Sequence, residues 1–121
     1  MINKMLSNGT LHITEEVLAI ITSVCINESR GIKVISSSLK DSIVTKMSKN
    51  YTKRGITIEH QDNEVTVGVR VSIDFGYNII ETCEMLQKAI VTEIEALSGL
   101  TLKQVDITVD HISFKEKAVS A

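Results

Sequence analysis

The sequence predicts a single-domain α+β fold: a mixed β-sheet with two main helices packed on one face and a polar, open second face. Three successive stretches indicate this. Residues 64–75 alternate between apolar and polar side chains, which is typical of a strand buried on one face. Residues 79–97 carry apolar side chains at helical spacing, and residues 105–114 alternate again. Such a crossover unit places its two strands parallel, with a right-handed connection.

Length and charge limit the architecture and the partners. At 121 residues, the chain is large enough for one core but too small for two domains. We expect residues 10–114 to form the domain, between a flexible N-terminus at residues 1–9 and a flexible tail at residues 115–121. The net charge of -2 gives no overall attraction to nucleic acid or membrane, although residues 40–54 hold five basic residues against one acid.

The N-terminal part predicts a short edge strand at residues 10–13, followed by a helix at residues 15–29. Thr14 is a suitable N-cap, acidic residues fill the first turn, and Gly31 suits the left-handed position after the helix. The apolar stripe of this helix is predicted to consist of Val17, Leu18, Ile20, Ile21, Val24 and Cys25.

The segment that follows predicts smaller elements. Residues 32–35 alternate weakly and fit a short strand. The three serines at residues 36–38 would cap a second short helix, whose apolar side chains recur every four residues at Leu39, Ile43 and Met47. Residues 46–54 are basic and polar, and we expect them to form an exposed loop.

The predicted sheet is completed by a hairpin and a closing strand. Residues 56–60 fit a strand that pairs antiparallel with residues 64–75. In the closing strand the apolar residues change parity after Val109, so a β-bulge near Asp110 and His111 would restore burial. The sheet face away from the helices is predicted to carry Thr66, Arg70, Ser72, Asp106 and Thr108.

The long second main helix has clear start and stop signals. Asn78 is a suitable N-cap with Glu81 three residues later, which is close to a capping box. Gly99 suits the end of the helix. Its buried face is predicted to consist of Ile79, Cys83, Leu86, Ile90, Ile94 and Leu97.

The sequence contains no pattern that indicates catalysis or a cofactor. The three histidines lack metal-ligand spacing, and no glycine-rich phosphate loop occurs. Cys25 and Cys83 both fall on apolar helix faces, which favours buried, reduced thiols over a disulfide or a nucleophile. We therefore predict no enzyme, with no catalytic, cofactor-binding or metal-ligating residues. A thiol-redox protein is an alternative that requires an accessible Cys25 or Cys83.

Partner binding is predicted at the basic stretch and at the open face of the sheet. The candidate residues are Lys46, Lys49, Tyr51, Lys53, Arg54 and Arg70. Four cations around one aromatic ring in residues 46–54 also suit a nucleic-acid strand, so a small nucleic-acid-binding domain is the alternative function. A solvated loop explains the same stretch, and neither the clamp of a KH domain nor the strand aromatics of an RRM occur. We therefore do not expect a nucleic-acid partner.

Several motifs occur in the order and spacing of one known family. They are LHITEEVL at residues 11–18, KRGITI at residues 53–58, FGYNI at residues 75–79, Gln87, SGL at residues 98–100 and VDITV at residues 105–109. Together they resemble the alkaline-shock (envelope stress response) protein family, and the length is most similar to its short Gram-positive members. Two departures concern the last strand, where Asp106 replaces a usual Asn and His111 replaces a common Gly.

This resemblance implies a non-enzymatic cytoplasmic protein that forms homo-oligomers and supports the cell envelope. Its implied partners are proteins, such as a small membrane-anchor protein or lipid-metabolism proteins, so that any membrane association is through a partner. The family supplies no catalytic residues to transfer. Independently, the N-terminus lacks a signal-peptide core and the longest apolar run, residues 17–21, is far too short to cross a bilayer. We expect no direct membrane insertion.

Overall fold

The computed structural model describes residues 2–35, 50–53, 55–62 and 64–114. It confirms an α+β fold with two helices and a mixed sheet. The elements, in chain order, are β1 (Ile2–Leu6), β2 (Gly9–Ile13), α1 (Glu15–Asn27), β3 (Ile32–Val34), β4 (Asn50–Lys53), β5 (Ile56–Gln61), β6 (Glu64–Asp74), α2 (Ile79–Ser98) and β7 (Thr101–Ser113).

Strand β6 is the centre of a five-stranded sheet. Along one edge it pairs in parallel with β7 over its whole length, as the crossover predicts. Along the other edge it pairs antiparallel with β5 at residues 64–69 and with β3 at residues 71–73. Strand β4 lies outside β5. The predicted parallel pair and the predicted hairpin are therefore both confirmed.

The core lies between this sheet and the two helices. The helix-facing side of β6 is fully buried at Val65, Val67, Val69, Val71 and Ile73. Helix α1 contributes Leu18 and Ile26, and helix α2 contributes Leu86, Ile90 and Ile94. Burying each of these side chains stabilises the fold by about 1.5–3 kcal/mol before the entropy of ordering is subtracted. Packing, more than helix propensity, therefore holds the two helices in place.

The helix ends follow the predicted signals only in part. The side chain of Asn78 accepts a hydrogen bond from the backbone N–H of Glu81 at 2.9 Å, and Gly99 has the left-handed φ of 74°. Thr14 occupies the N-cap of α1, but its side chain makes no capping hydrogen bond. Helix α1 ends at Asn27 rather than at residue 29, because Glu28 already serves as its C-cap.

The predicted bulge in the last strand is confirmed, and a second one is present. Val71 pairs with Val109 but Ser72 pairs with His111, which leaves Asp110 as the extra residue. Similarly, Val65 pairs with Leu102 and the next residue of β6 pairs with Gln104, so Lys103 is the second extra residue. Each bulge changes the phase of β7 once, so that its apolar residues keep facing the helices.

Two segments that we expected to be irregular form strands instead. Residues 2–6, part of the segment predicted to be a flexible N-terminus, form β1, which pairs antiparallel with β2 and buries Ile2 opposite Ile13. Residues 50–53, part of the predicted basic loop, form β4, which pairs with β5. In both segments, strand pairing satisfies the backbone N–H and C=O groups. The periodicity of apolar residues alone did not predict a strand in either one.

Other predictions have different outcomes. Ser72 is buried rather than open, because β3 and β7 flank it and Ser113 donates a hydrogen bond to its hydroxyl at 3.3 Å. The short helix predicted from residues 36–38 with Leu39, Ile43 and Met47 lies outside the described residues. The tail at residues 115–121 lies outside them as well.

Candidate interaction surfaces

Arg70 lies on the exposed face of β6, as predicted, and it is paired within the chain. Its Nε donates to Oδ2 of Asp110 at 3.1 Å, and its Nη2 donates to the same oxygen. Asp110 is the extra residue of the bulge in β7. An ion pair this open to solvent adds little to folding stability, so its effect is to fix the direction of two opposite charges on the surface.

The rest of this face is polar and exposed along β7. Gln104 donates through Nε2 to both carboxylate oxygens of Asp106 at 2.9 Å. Thr108 lies beside Arg70 in the register and is exposed. This part of the sheet therefore presents hydrogen-bonding groups of both charges rather than a basic patch.

The predicted basic residues are only partly within the described chain. Lys46, Lys49 and Arg54 lie outside it. Tyr51 and Lys53 belong to β4, where they are the register partners of Ile58 and Ile56. Strand β5 lies between β4 and the strand that carries Arg70, so among the described residues Tyr51 and Lys53 lie two strands away from Arg70.

Helix α1 exposes an apolar ridge that the sequence had assigned to the core. We define the α1 ridge as Val17, Ile20 and Val24, which are 45%, 56% and 48% exposed. They follow helical spacing along one side of α1. The sheet covers the opposite side, where Leu18, Ala19, Thr22, Cys25 and Ile26 are buried.

The misassignment in α1 has a specific cause. The apolar residues of α1 cover more than one face, and a stripe of that width does not show which half meets the sheet. The predicted stripe does not include Thr22, which is fully buried, and its hydroxyl donates to the backbone carbonyl of Leu18 at 2.8 Å. A threonine that can satisfy itself in this way is compatible with the buried side of a helix.

A second apolar surface surrounds the turn between β6 and α2. We define the aromatic turn as Phe75, Tyr77, Ile79, Ile80 and Phe114, all of which are exposed. The rings of Phe75 and Phe114 stack with centroids 5.0 Å apart, although they are 69% and 71% exposed. Both phenylalanines of the chain therefore lie on the surface rather than in the core. Sequence reasoning missed this surface, because strand alternation assigns Phe75 to the buried face.

A hollow of about 710 Å³ lies beside the aromatic turn, between the end of α1 and the beginning of α2. Its lining combines charged, polar and apolar side chains, including Glu28, Arg30, Tyr77, Glu81 and Met85. Among the described residues, no three His, Cys, Asp or Glu side chains gather closely enough to hold a metal ion.

Both cysteines are free thiols with raised pKa values. Burial raises the pKa of Cys25, and the nearby carboxylates of Glu93 and Glu28 raise it further. Burial also raises the pKa of Cys83. The thiol of Cys25 donates to the backbone carbonyl of Ala89 at 3.7 Å, which joins the two helices. Both thiols are therefore protonated at neutral pH, the opposite of the activated state that a nucleophile needs.

One ion pair lies close to the core at the beginning of α1. Nε2 of His60 lies 2.7 Å from a carboxylate oxygen of Glu15. Burial acts to raise the pKa of Glu15, but hydrogen bonds to its carboxylate and nearby positive charge, to which His60 contributes least, outweigh burial, so this pKa lies below its usual value. The pair connects β5 to the first turn of α1.

These features define a small α+β protein organised on a β–α–β crossover, whose most distinctive surface chemistry is exposed apolar side chains. The family model of the alkaline shock protein 23 family, described by its cell envelope-related function, matches residues 3–114. Because the match covers nearly the whole chain, the chain belongs to this family. The resemblance inferred from the motifs is therefore confirmed.

Two relatives in Gram-positive bacteria are similar along most of their length. The uncharacterized protein YqhY of Bacillus subtilis is 22% identical over 110 residues, covering 91% of this chain and 82% of that protein. The uncharacterized protein Spy1614 of Streptococcus pyogenes serotype M6 is 22% identical over 107 residues, covering 87% of this chain and 88% of that protein. No solved structure matches the chain. Neither helix of the described residues combines the length and apolar character needed to cross a bilayer.

Proposed function

We propose that this chain is a non-enzymatic cytoplasmic interaction protein that serves the cell envelope by associating with itself and by docking onto partner proteins. The family's cell envelope-related function supports the biological setting. The observation that carries the docking proposal is the exposed stack of Phe75 and Phe114. Aromatic side chains are enriched in the centres of protein interfaces, where they lose water on both sides of the ring.

The surroundings of this stack suit a docking site. The two rings are already fixed against one another, so little side-chain freedom would be lost on binding. Tyr77, Ile79 and Ile80 extend the apolar area toward the first turn of α2. An exposed apolar surface of this kind on a small protein is a mark of interaction with another macromolecule.

The partners that the family resemblance implies are a small membrane-anchor protein or proteins of lipid metabolism. Either would bring this chain to the membrane through a partner. The polar face around Arg70 and the basic stretch at residues 46–54 are the secondary docking candidates. The ion pair of Arg70 with Asp110 gives that face a fixed charge pattern, which suits selection of a partner more than strength of binding.

A crosslinking experiment in cells tests the docking proposal. The double variant Phe75→Ser with Phe114→Ser removes the stack, and Leu97→Ser is the matched control, because Leu97 is also exposed but lies at the far end of α2. We expect the double variant to lose crosslinked partners that both the unsubstituted chain and the control retain. Equal recovery from all three chains would overturn the role of the stack. A light-scattering mass that stays monomeric at micromolar concentration would overturn self-association.

A further inference from the structure

Among the described strands, the outer edge of β7 is the longest strand edge in the sheet that has no neighbouring strand. Strand β7 runs for 13 residues, and β6 pairs with one of its edges. Within the part of the chain that the structure describes, no strand pairs with its other edge. An open edge of this length is a template for another strand, and natural proteins either protect such edges or use them for pairing.

The hydrogen-bonding direction of β7 follows from its neighbours. Both backbone groups of Arg70 bond away from β7, its N–H to Gly55 and its carbonyl to Ile35. Residues of a strand alternate in direction, so Val69 and Val71 bond toward β7. In a parallel pair each of them bonds to the residues that flank its register partner.

The backbone N–H and C=O groups of these flanking residues in β7 therefore point toward β6, and those of the register partners point toward the open edge. The partners are Ile107 for Val69 and Val109 for Val71, and Val105 has the same direction as both. Gln87 confirms this direction, because its Nε2 donates to the backbone carbonyl of Val105 at 3.0 Å from the side of α2. The outer edge thus offers the backbone groups of Val105, Ile107 and Val109.

The side chains of β7 are arranged symmetrically about Ile107. On the helix-facing side, Val105 and Val109 lie two positions from Ile107, and Leu102 and Ile112 lie five positions from it. Five is an odd number, but each half of the strand contains one bulge that changes the phase once. All five residues therefore face the helices, and the spacing of these apolar residues is the same in both directions from Ile107.

We propose that a second copy of this chain pairs antiparallel with the outer edge of β7, in a two-fold register centred on Ile107. The proposal rests on the self-association in the proposed function and names its surface. Ile107 lies opposite itself, and Val105 lies opposite Val109 of the second copy. All of these residues direct their backbone groups outward, as an antiparallel hydrogen-bonded pair requires. The pairing joins two five-stranded sheets into one continuous sheet.

The polar face of β7 fits the same register. Asp106 lies opposite Thr108 of the second copy, and Gln104 lies opposite Asp110. In this register no two like charges lie directly opposite one another. Like charges in that position would destabilise the pairing of the strands. A register centred one residue earlier would place Asp106 opposite itself. Avoidance of like charges therefore favours Ile107 over Asp106 as the centre.

Burial on the helix side also favours a second copy. Ile107, Val109 and Ile112 face the helix layer but are only partly buried, because β7 is the last strand on that side. A paired copy would bring matching apolar side chains beside them. The hydrogen bond from Gln87 to Val105 would be exchanged for one from the backbone of the second copy, so the carbonyl keeps a donor in both states.

Cysteine crosslinking tests the register directly. In the proposed dimer only position 107 meets its own copy, at about 5.5 Å between Cα atoms, which lies within the range of a disulfide. We expect Ile107→Cys to form a disulfide-linked dimer under mild oxidation. Val105→Cys and Val109→Cys are the matched controls, since each is roughly 13 Å from its own copy. Alone, neither should crosslink, but a mixture of the two should.

The outcomes separate this proposal from self-association in general. The unsubstituted chain gives the background from Cys25 and Cys83. Oligomers without the selective crosslink of Ile107→Cys would overturn the β7 register and leave self-association in place. A chain that stays monomeric by light scattering would overturn both. Selective crosslinking of Ile107→Cys, with the mixed controls linking only to each other, establishes the register.

Charge substitution at Thr108 gives an independent test by sedimentation. In the dimer, residue 108 of each copy lies opposite Asp106 of the other copy, which makes two such pairs. Thr108→Glu places a carboxylate opposite Asp106 in both pairs, and Thr108→Lys places an ammonium group there. We expect dimer dissociation constants roughly 2- to 30-fold higher for Thr108→Glu and lower for Thr108→Lys, from two cross-strand charge pairs. Within one chain Thr108 lies beside Arg70 and two residues from both Asp106 and Asp110, so the folding stability of each variant is measured separately. Equal dissociation constants for the two variants would overturn the proposal.

Discussion

The ring of Tyr77 lies directly against the backbone of Gly31, and this contact joins the end of α1 to the turn before α2. A Cβ atom on Gly31 would come within 2.5 Å of the ring carbon Cδ2 of Tyr77. Gly31 also has a φ of 78°, in the left-handed region that side chains avoid. Tyr77 of the aromatic turn is therefore positioned by a glycine that lies 46 residues earlier in the chain.

Gly31→Ala should destabilise the fold and displace Tyr77. The new methyl group meets both the ring and an unfavourable backbone conformation, and we expect a loss of about 1–3 kcal/mol in the free energy of unfolding. Chemical denaturation followed by circular dichroism measures it. Gly68→Ala is the matched control, because its Cβ would lie 3.7 Å from the nearest atom and its φ is not positive. Equal losses from both substitutions would contradict this account of Gly31.

The two sides of α1 should respond differently to truncation. Leu18 is fully buried, so Leu18→Ala should lower the free energy of unfolding by about 2–5 kcal/mol. Ile20 belongs to the α1 ridge, and Ile20→Ala should cost less than about 1 kcal/mol. Thermal or urea unfolding of the monomer compares them. A larger loss from Ile20→Ala than from Leu18→Ala would contradict the assignment of Leu18 to the buried side of α1 and of Ile20 to the exposed side.

The fold was predictable where the spacing of apolar residues fits only one kind of secondary structure. Residues 64–74 alternate cleanly and residues 79–98 repeat at helical spacing, so the crossover and its parallel strands could be inferred. The bulge at Asp110 was also predictable, because the apolar residues of β7 change from odd-numbered to even-numbered positions after Val109. The bulge at Lys103 leaves the same kind of trace, a change of parity between Leu102 and Val105, but the predicted strand began at Val105 and therefore did not include it.

The interaction surfaces were less predictable, because exposure depends on what packs against a side chain. Val17, Ile20 and Val24 are apolar at helical spacing and read as core, but the sheet meets the other side of α1. Phe75 reads as the last buried residue of a strand, but β6 ends at Asp74 and the ring of Phe75 is exposed. Charge was the easier signal, and it led to Arg70, which proves to be paired with Asp110.

Asn78 and Thr14 both read as N-caps, and the structure separates them. The Asn78 side chain bonds to the backbone N–H of Glu81 at 2.9 Å, whereas that of Thr14 makes no capping bond. Asn78→Ala should therefore cost about 0.5–2 kcal/mol of folding stability. Thr14→Ala, the matched control, should cost less than about 0.5 kcal/mol. Equal costs in denaturant unfolding would contradict the difference in capping.

The lowered pKa of Glu15 should make folding stability depend on pH in the acid range. The folded-state pKa of Glu15 is lowered from its usual 4.5, so its stabilising contribution is present above that value. The contribution is lost as the pH falls through the lowered pKa. Glu15→Gln should therefore be less stable than the unsubstituted chain at neutral pH, and the difference should shrink below pH 4.5.

Denaturation midpoints measured from neutral to acid pH test this dependence. Glu16→Gln is the matched control, since Glu16 is the exposed neighbour in the same helical turn. At neutral pH, Glu16→Gln should change the folding stability less than Glu15→Gln does. A difference for Glu15→Gln that stays constant with pH would exclude an electrostatic contribution from this carboxylate.

The two thiols should react slowly and in a defined order in the folded chain. Burial raises the pKa of Cys25 and of Cys83, which lowers the thiolate fraction that a labelling reagent attacks. Cys25 is also closed off between α1 and α2, so its labelling should require local opening and follow that of the less buried Cys83. Mass spectrometry against time resolves the two rates, and Cys83→Ser isolates the slower one. Rapid labelling of Cys25 in the folded chain, at the rate found in denaturant, would revive the thiol-redox alternative. Slow labelling of both excludes it and leaves the exposed surfaces as the part of the molecule available for function.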